Sequence, residues 1–342
     1  MKDQIITGIL SYGMSGRLFH APFVETNKSF DFYAVTERTD KKVNTRYPKV
    51  ISYDSVDELL QDPKIELVIV NTPNNTHYEY SKKALLAGKH VLVEKPFAST
   101  SAEAKELFDL ASQVDRNIMV YQNRRWDTDF QCVKSAVEGG KLGKLIEVHF
   151  RFDRYRREIS KKAFKENPLP ASGLSYDLGP HLLDQAISLF GKPLSWTKTL
   201  GTFRPDSLVD DFMHIHLRYP EGLNVFITAS LLTAHPLPSF VLNGTNGTYI
   251  KDRTDIQEEQ LNQEMSPTDK DYGIEPDGKE GILATINSNG EKSVKYNTAL
   301  KGNYSRLFDA VHAQIRLNEP YPVIEEEILW QLEILEGEGV RP

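Results

Sequence analysis

The sequence has little cysteine and no long apolar run. Its single cysteine, Cys132, has no partner for an intramolecular disulfide. Uninterrupted aliphatic stretches such as Leu67 to Val70 fall far short of the roughly 20 apolar residues that a membrane span needs. The opening residues, Met1 to Gln4, lead directly into a strand-like segment without the pattern of a signal peptide. We therefore expect a cytoplasmic protein with no membrane partner.

The sequence also lacks an excess of positive charge. It has 41 Lys and Arg residues against 48 Asp and Glu residues, which gives a formal net charge of -7. A general nucleic-acid binder needs cations to neutralise phosphates, so we expect a small-molecule ligand and no nucleic acid. Hydrophobic residues make up 39% and charged residues 26%, which is typical of a globular protein. The length of 342 residues favours two domains, at roughly 150 residues each.

The N-terminal third of the chain alternates short apolar segments with segments of helical periodicity. This alternation predicts a βαβ series and a parallel sheet, that is, an α/β fold with a doubly wound Rossmann domain. The predicted strands are Ile5 to Leu10, Phe32 to Val35, Leu67 to Val70, His90 to Val93 and Ile118 to Tyr121. We assign this domain to residues 1–123.

Beyond Asn123 strands dominate the pattern. One helix is predicted from Asp127 to Glu138, and the alternation from His214 to Leu217 favours an antiparallel sheet with one covered face. The predicted strands are Leu145 to Phe152, Leu194 to Thr202, Asp211 to Tyr219, Leu223 to Leu231, Phe240 to Asn243 and Gly247 to Lys251. The polar stretch from Asp252 to Lys279 is predicted to be an exposed excursion. Residues 124–342 are therefore predicted to form an α+β domain with a large, mostly antiparallel open sheet.

The turn after the first predicted strand, residues 8–16, carries a degraded nucleotide motif. A dinucleotide fingerprint has three glycines as G-x-G-x-x-G, because the turn is tight and the backbone approaches the pyrophosphate. Gly13 and Gly16 occupy the second and third places, while Ser11 replaces the first. Two glycines are also an ordinary feature of such turns, but this turn opens the first βα unit, where a helix N-terminus can bind phosphate. The candidate cofactor-binding residues here are Tyr12, Gly13, Met14 and Gly16.

An acidic residue and several basic residues follow the second predicted strand. Glu37 stands 21 residues beyond Gly16, where an acidic side chain accepts hydrogen bonds from the adenine ribose hydroxyls of NAD. Arg38 can instead pair with the extra phosphate of NADP, and the segment from Arg38 to Lys42 is equally well explained as a solvated helix start. Glu37 and Arg38 are both candidate cofactor-binding residues, and the choice between NAD and NADP stays open here.

Four further motifs follow predicted strands or open a predicted helix. They are N-T-P-x-x-x-H at Asn71 to His77, E-K-P at Glu94 to Pro96, N-R-R-W-D-x-D-F at Asn123 to Phe130, and D-x-G-x-H-x-x-D at Asp177 to Asp184. Each motif is weak alone. Together with the glycine turn, their order and spacing resemble those of the glucose–fructose oxidoreductase / inositol dehydrogenase (Gfo/Idh/MocA) family over nearly the whole chain.

This resemblance implies roles in cofactor binding and catalysis. It places the following residues at the cofactor: Asn71, Thr72, Pro73, His77, Glu94 and Asn123. It also places Lys95 beside the nicotinamide and the reacting hydroxyl, after which a cis peptide leads to Pro96. An ammonium group there can stabilise a developing alkoxide. A lysine is more often simply solvated, but the position at the end of a strand, between Glu94 and a proline, argues against that alternative.

The D-x-G-x-H-x-x-D motif suggests an acid–base group. If the segment is one helix, the spacing puts Asp177, His181 and Asp184 on one face, although Pro180 suits a first helical turn and then leaves Asp177 just before it. A histidine held by carboxylates suits a general base. Taken alone, the motif is more typical of a capping aspartate and a core histidine, whereas the resemblance favours catalysis.

We expect no metal ion at the Asp, His and Asp group. No other cluster of ligands accompanies these residues in the sequence. His214 and His216 alternate along a predicted strand, and sheet packing explains them better than metal binding.

The candidate substrate residues come from three segments. The linking motif offers Arg125 and Trp126, whose ring can form a flat wall for a sugar. Tyr155 lies in a basic run from Arg151 to Lys165, which is either a patch for a polyhydroxylated or anionic substrate or a solvent-exposed loop. Asp184 completes the set.

We therefore expect an NAD(P)-dependent dehydrogenase acting on a secondary alcohol of a sugar or an inositol-like cyclic polyol. His181 would remove the hydroxyl proton, Asp177 would orient His181, and Lys95 would stabilise the oxygen. The alternative is a non-catalytic dinucleotide-binding regulator of the same fold. The resemblance further implies a homodimer or higher homo-oligomer formed through the second domain. Because the chain stops at Pro342, soon after an apolar segment, we also expect that a C-terminal strand is shortened or absent.

Overall fold

The computed structural model of this protein describes residues 4–160 and 166–340. The chain divides into two compact units, neither of which is continuous in sequence. The first unit takes its described residues from Met1–Asn123, Gln257–Tyr272 and Asn303–Ile328. The second unit takes its described residues from Arg124–Ile256, Gly273–Gly302 and Leu329–Pro342. Two segments that the sequence assigned to the C-terminal domain therefore group with the first unit.

The first unit contains the predicted parallel, doubly wound sheet. Its strands are β1 (Ile5–Ile9), β2 (Phe30–Thr36), β3 (Ile51–Tyr53), β4 (Leu67–Val70), β5 (His90–Glu94) and β6 (Ile118–Tyr121). They pair in parallel in the order β3-β2-β1-β4-β5-β6. This is the strand order of a dinucleotide-binding Rossmann fold, which confirms the predicted fold class. The short edge strand β3 was missed by the sequence analysis.

Helices connect these strands, and polar caps fix two of their starts. The connecting helices are α1 (Ala21–Thr26), α2 (Val43–Arg46), α3 (Val56–Gln61), α4 (His77–Leu86) and α5 (Ser101–Gln113). Ser55 Oγ accepts a hydrogen bond from Glu58 N at 3.2 Å, and Thr100 Oγ1 accepts one from Glu103 N at 3.1 Å. Both side chains satisfy backbone donors that a helix N-terminus leaves without a partner. The four residues of β4 are all buried, as expected of a central parallel strand.

The second unit contains the predicted large, mostly antiparallel sheet. Its strands are β7 (Leu145–Asp153), β8 (Ser195–Gly201), β9 (Phe212–Arg218), β10 (Asn224–Ser230), β11 (Phe240–Gly244), β12 (Gly247–Lys251), β13 (Gly281–Ile286) and β14 (Lys292–Asn297). They follow the order β14-β13-β12-β11-β7-β10-β9-β8, and only the pairing of β7 with β10 is parallel. All six strands that the sequence predicted for this unit are present. Strands β13 and β14 were not predicted as separate strands.

One face of this sheet is covered and the other is open. The other α-helices among the described residues are α6 (Thr128–Glu138), α7 (Leu174–Asp177), α8 (Gly179–Phe190), α9 (Gln257–Asn262), α10 (Ser305–His312) and α11 (Glu325–Glu336). Helix α8 packs against β7 and β10. Along β10, buried residues alternate with half-exposed ones, so every second side chain faces away from the helix. The covered face positions the histidine of the D-x-G-x-H motif.

The prediction that Asp252 to Lys279 forms an exposed excursion is wrong. Leu261 is 3% exposed and Tyr272 is fully buried. Leu261 lies in α9, and the ring of Tyr272 packs edge-on against Phe23 of the first unit with ring centroids 6.3 Å apart. The polar composition of this segment concealed a few apolar anchors, because each is isolated in sequence. Among the described residues, no helix has the length and apolar character needed to cross a bilayer.

Candidate functional site

The glycine turn of the first unit lies directly after β1. Arg17 N donates to Gly13 O at 3.0 Å, which starts the helical segment that continues into α1. A Cβ atom on Gly16 would lie 2.0 Å from Ser11 O, so the turn has no room for any other residue at position 16. Glycine is needed here because the helix passes close to the strand, which is the role of the last glycine in a dinucleotide fingerprint.

Asn71, which directly follows the neighbouring strand β4, holds the backbone of the turn at Ser11. Ser11 N donates to Asn71 Oδ1 at 2.9 Å, and Asn71 Nδ2 donates to Ser11 O at 2.8 Å. Ser11 Oγ accepts a further bond from Gly13 N at 3.3 Å. Asn71 is only 7% exposed and holds the turn, and its predicted contact with the cofactor stays a prediction.

The remaining turn residues leave room for a ligand. Gly13 is exposed, and a Cβ atom there would make only an ordinary contact with Ser11 Oγ at 3.4 Å. The packing of the protein therefore does not demand glycine at position 13, whereas close approach of a pyrophosphate would. Met14 is 49% exposed beside it. Tyr12 is half-buried with its ring edge-on to Tyr47, and burial raises the pKa of Tyr12, so its phenol stays neutral. The residues present fit a dinucleotide.

A buried histidine joins the loops that follow β4 and β5. His77 is 1% exposed; its Nδ1 lies 2.7 Å from Pro96 O and its Nε2 lies 2.9 Å from Thr72 O. Burial lowers the pKa of His77, although its bonds to the two carbonyls oppose this. Pro73, next to Thr72, is exposed at the same sheet edge. The histidine that the resemblance placed at the cofactor thus connects the two loops through its contacts with their carbonyl groups.

The E-K-P loop is held by two residues that the sequence analysis missed. Glu94 Oε1 accepts a bond from Ser15 Oγ at 2.7 Å and lies 2.9 Å from Nε2 of the fully buried His20. Glu94 Oε2 accepts a bond from Lys95 N at 3.2 Å. Burial raises the pKa of Glu94, but its bonds and charge interactions with His20, Ser15 and Lys95 outweigh burial and lower it. The peptide bond between Lys95 and Pro96 is cis, as the resemblance implied.

This network connects the two predicted cofactor elements of the first unit. Ser15 and His20 belong to the helical segment that follows the glycine turn, whereas Glu94 ends β5. The ring of His20 also packs on Tyr121 with centroids 4.5 Å apart. A signal for this role was present in the sequence, since a histidine in the apolar run from Leu18 to Phe23 is expected to need a buried partner.

The two candidate residues after β2 have different environments. Glu37 is 9% exposed and its carboxylate is bound by three donors of the protein. Arg38 is exposed. The sequence pattern of these two residues leaves the choice between NAD and NADP open.

The linking motif contributes one residue to the first unit and the others to the second. Asn123 is 6% exposed and ends the N-terminal segment of the first unit. Arg125 Nε and Nη2 donate to the two carboxylate oxygens of Asp184 at 2.8 and 2.7 Å, and Gln331 Nε2 donates to Asp184 Oδ1 at 3.0 Å. The structure therefore brings two of the substrate candidates together in a two-pronged ion pair. Trp126 is partly exposed in the same helical turn as Arg125.

The acid–base motif does not form one continuous helix. Asp177 ends α7, Leu178 interrupts the helical segment, and α8 begins at Gly179, so Asp177 does not share a helix with His181 and Asp184. The interruption at Leu178 lies two residues before Pro180, which enters the first turn of α8, as predicted.

Close packing fixes both helices of this motif, α7 and α8. A Cβ atom on Gly179 would lie 2.9 Å from Leu335 Cδ2, so glycine lets α8 approach its neighbour closely. His181 is 5% exposed in the first turn of α8. Helix α7 follows Gly173, whose φ of 86° suits only glycine, and Asp210 Oδ2 accepts a bond from Ser175 N at 2.7 Å.

The other candidates lie on the surface of the second unit. Tyr155 is 61% exposed. The basic run around it is exposed at Arg156 and Arg157, while Lys161, Lys162 and Lys165 lie outside the described residues. His214 and His216 project from β9 and stack against Phe226, as the sheet-packing interpretation expected. No group of three or more potential metal ligands occurs in residues 4–160 and 166–340.

Comparisons with known proteins agree with this geometry. Residues 5–122 match an oxidoreductase family model with an NAD-binding Rossmann fold, and residues 130–250 match the GFO/IDH/MocA C-terminal domain. An uncharacterized oxidoreductase of Schizosaccharomyces pombe is 39% identical, covering 97% of this chain and 96% of its own. The scyllo-inositol 2-dehydrogenase (NADP(+)) of Bacillus subtilis is 31% identical, covering 98% and 93%. A crystal structure of an oxidoreductase from Bacillus cereus has a TM-score of 0.90 and 35% identity, covering 97% and 95%. The chain therefore belongs to the GFO/IDH/MocA family of NAD-binding oxidoreductases.

Proposed function

We propose that the protein is an NAD(P)-dependent dehydrogenase acting on a secondary alcohol of a sugar or an inositol-like cyclic polyol. The observation that carries the proposal is the hydrogen bond from Ser15 Oγ to Glu94 Oε1 at 2.7 Å. This bond ties the segment after the glycine turn to the residue that precedes Lys95. An ammonium group beside a dinucleotide site is suited to stabilise the oxygen of an alcohol that loses hydride.

Each residue of the proposed set has one role. A nicotinamide dinucleotide, when bound at the glycine turn, would supply the hydride chemistry. Lys95 stabilises the negative charge that develops on the substrate oxygen, and His181 takes the hydroxyl proton on its imidazole. Asp177 orients His181, and Trp126 offers a flat apolar wall to a ring-shaped substrate.

The substrate class rests on chemistry and on one relative. The relative from Bacillus subtilis that is 31% identical over 98% of this chain is a scyllo-inositol 2-dehydrogenase. A lysine and a histidine that act on one hydroxyl suit a ring that carries many secondary alcohols. Oxidation of such an alcohol requires no charged leaving group on the substrate. This supports a sugar or cyclic polyol as the substrate.

A turnover screen tests the proposal. The purified protein is mixed with NAD or NADP and a panel of inositols and aldoses, and reduction of the nicotinamide is followed by its absorbance. We expect at least one cyclic polyol or sugar to be oxidised. If both dinucleotides bind and no compound in the panel reacts, the alternative of a non-catalytic regulator replaces the dehydrogenase.

We also propose that two copies of the chain associate through the open face of the second sheet. Cross-strand partners on that face form a continuous row of largely apolar and aromatic side chains. The row is Tyr296, Ile282, Ile250, Val241, His149, Phe226 and His216. Burial, with the neighbouring charges of His216, Arg151 and His149, lowers the pKa of His214 beside this row. A face with so much apolar and aromatic surface is suited to a two-fold contact.

Sedimentation of a charged variant tests this contact. Ile250→Lys places a cation in the middle of the row, and we expect it to convert a wild-type dimer into a monomer, because an unpaired charge is costly to bury. Leu86→Lys is the matched control, since Leu86 is a 63% exposed aliphatic residue of α4. A wild-type protein that sediments as a monomer at every concentration, or an Ile250→Lys variant that stays dimeric, contradicts the proposal.

A further inference from the structure

The cofactor preference can be argued from the segment that follows β2. In a Rossmann fold the side chain at the end of this strand meets the adenine ribose. A carboxylate there accepts bonds from the ribose hydroxyls of NAD and repels the 2′-phosphate of NADP. What matters is therefore whether the carboxylate of Glu37 is available, and which cations surround it.

The carboxylate of Glu37 is used by the protein itself. Its Oε1 accepts a bond from Lys42 N at 2.9 Å, and its Oε2 accepts bonds from Ser52 Oγ at 2.9 Å and Val43 N at 3.3 Å. The side chain thus closes the loop that leads into α2 and ties it to β3. Because Glu37 is only 9% exposed and its carboxylate already accepts three bonds from the protein, it has less to offer a ribose hydroxyl than a free carboxylate has.

The cations near Glu37 differ in whether other groups of the protein already bind them. Lys41 Nζ donates to Glu37 O at 2.9 Å and lies 2.6 Å from Asp54 Oδ1, and Lys42 Nζ lies 2.9 Å from Asp40 Oδ2. Arg38 is exposed and makes no hydrogen bond or ion pair with any other described residue. Its guanidinium is the group of this loop that can bind a phosphate without first breaking a bond of the protein.

The net charge of the loop also favours a phosphate as the ligand. Residues 37–42 hold Glu37 and Asp40 against three cations, so the net charge of this segment is positive. The negative charge of Glu37 is turned inward onto backbone N–H groups. A dianionic phosphate that approaches from solvent therefore meets Arg38 first, and a guanidinium can bind phosphate through two parallel hydrogen bonds.

We propose that this protein prefers NADP(H) to NAD(H), and that Arg38 binds the 2′-phosphate while Glu37 serves only to fold the loop. The proposal rests on the dinucleotide site of the first unit and not on the identity of the substrate. It can therefore fail or succeed independently of the polyol dehydrogenase proposal.

Equilibrium binding tests the preference without turnover. NADPH, NADH, 2′,5′-ADP and 5′-AMP are titrated into the full-length protein by calorimetry. We expect NADPH to bind about 10- to 100-fold more tightly than NADH, and 2′,5′-ADP to exceed 5′-AMP by a similar factor. Equal or tighter binding of NADH, or no binding of either dinucleotide, overturns the proposal.

Variants assign the preference to Arg38. Arg38→Gln is expected to weaken NADPH by about 10- to 100-fold and to leave NADH within about twofold, because only the phosphate contact is lost. Arg38→Lys should keep part of the preference, and Lys49→Gln, at an exposed cation of the same unit, should keep all of it. If Arg38→Gln weakens both dinucleotides equally, Arg38 binds a part that they share and the assignment is wrong.

A variant of Glu37 separates its structural role from a role in recognition. Glu37→Gln is expected to lower the midpoint of thermal unfolding, because the amide cannot accept all three bonds. The ratio of NADPH to NADH affinity should remain within about threefold of the wild type. A large rise in that ratio would show that the carboxylate opposes the phosphate directly, and would overturn this half of the proposal.

Discussion

Replacing Lys95 with alanine is expected to lower kcat by about 10²- to 10³-fold, because the variant loses the cation that stabilises a developing alkoxide. Lys95 follows β5 in a loop that Glu94, Ser15 and His20 hold together, so its backbone position should survive the substitution. The affinity for the dinucleotide should change little. Steady-state kinetics with the substrate found in the panel measures kcat, and calorimetric titration of NADPH measures binding.

Two further variants isolate the charge of Lys95. Lys95→Arg keeps a cation but changes its shape and should recover only part of kcat. Lys28→Ala removes an exposed lysine of the same unit and should match the wild type. If Lys95→Ala, folded and bound to the dinucleotide, turns over at the wild-type rate, Lys95 has no part in catalysis.

The parallel sheet could be predicted because its central strands are buried on both faces. A run such as Leu67 to Val70 is entirely apolar for that reason. Two of the three missed strands, β3 and β14, lie at sheet edges. Strand β3 has three residues, and every side chain of β14 is exposed, so neither carries the hydrophobic pattern on which such predictions depend.

Contacts between residues far apart in sequence were the main feature that could not be predicted. Tyr272 is fully buried in the first unit, although the two residues before it, Lys270 and Asp271, are charged and exposed. A single aromatic anchor creates no periodicity, so its segment was predicted to be an excursion. The same limit applies to Ser11, where only the folded chain reveals that Asn71 binds the backbone of this residue.

Motif positions were easier to predict than the orientation of side chains. The sequence placed Glu37 and Glu94 at the carboxyl ends of β2 and β5, where they are found. It could not indicate that both carboxylates turn inward, Glu37 to its own loop and Glu94 to His20 and Ser15. Both positions were predicted to touch the cofactor directly, and the contacts of the structure support a role in holding the residues that follow them.

Replacing His181 with alanine is expected to lower kcat for alcohol oxidation by about 10²- to 10⁴-fold, because the hydroxyl proton loses its acceptor. His181 lies in the first turn of α8, where the packing of Gly179 on Leu335 fixes the backbone. The wild-type rate should fall as the pH is lowered, because an imidazole accepts a proton only when it is neutral. The variant should lose this acidic limb, which a pH profile of kcat/KM measures.

A control variant at a second histidine and the affinity for the dinucleotide together show whether the loss of kcat arises in the chemical step. His235→Ala removes an exposed histidine of the second unit and should keep both the rate and the acidic limb. Removal of a general base lowers kcat in the variant without weakening NADPH, whereas a collapsed helix α8 would also lower the midpoint of thermal unfolding. A folded His181→Ala variant that keeps the acidic limb at a reduced rate would move the proton acceptor to another group, since the limb belongs to whichever residue takes the proton.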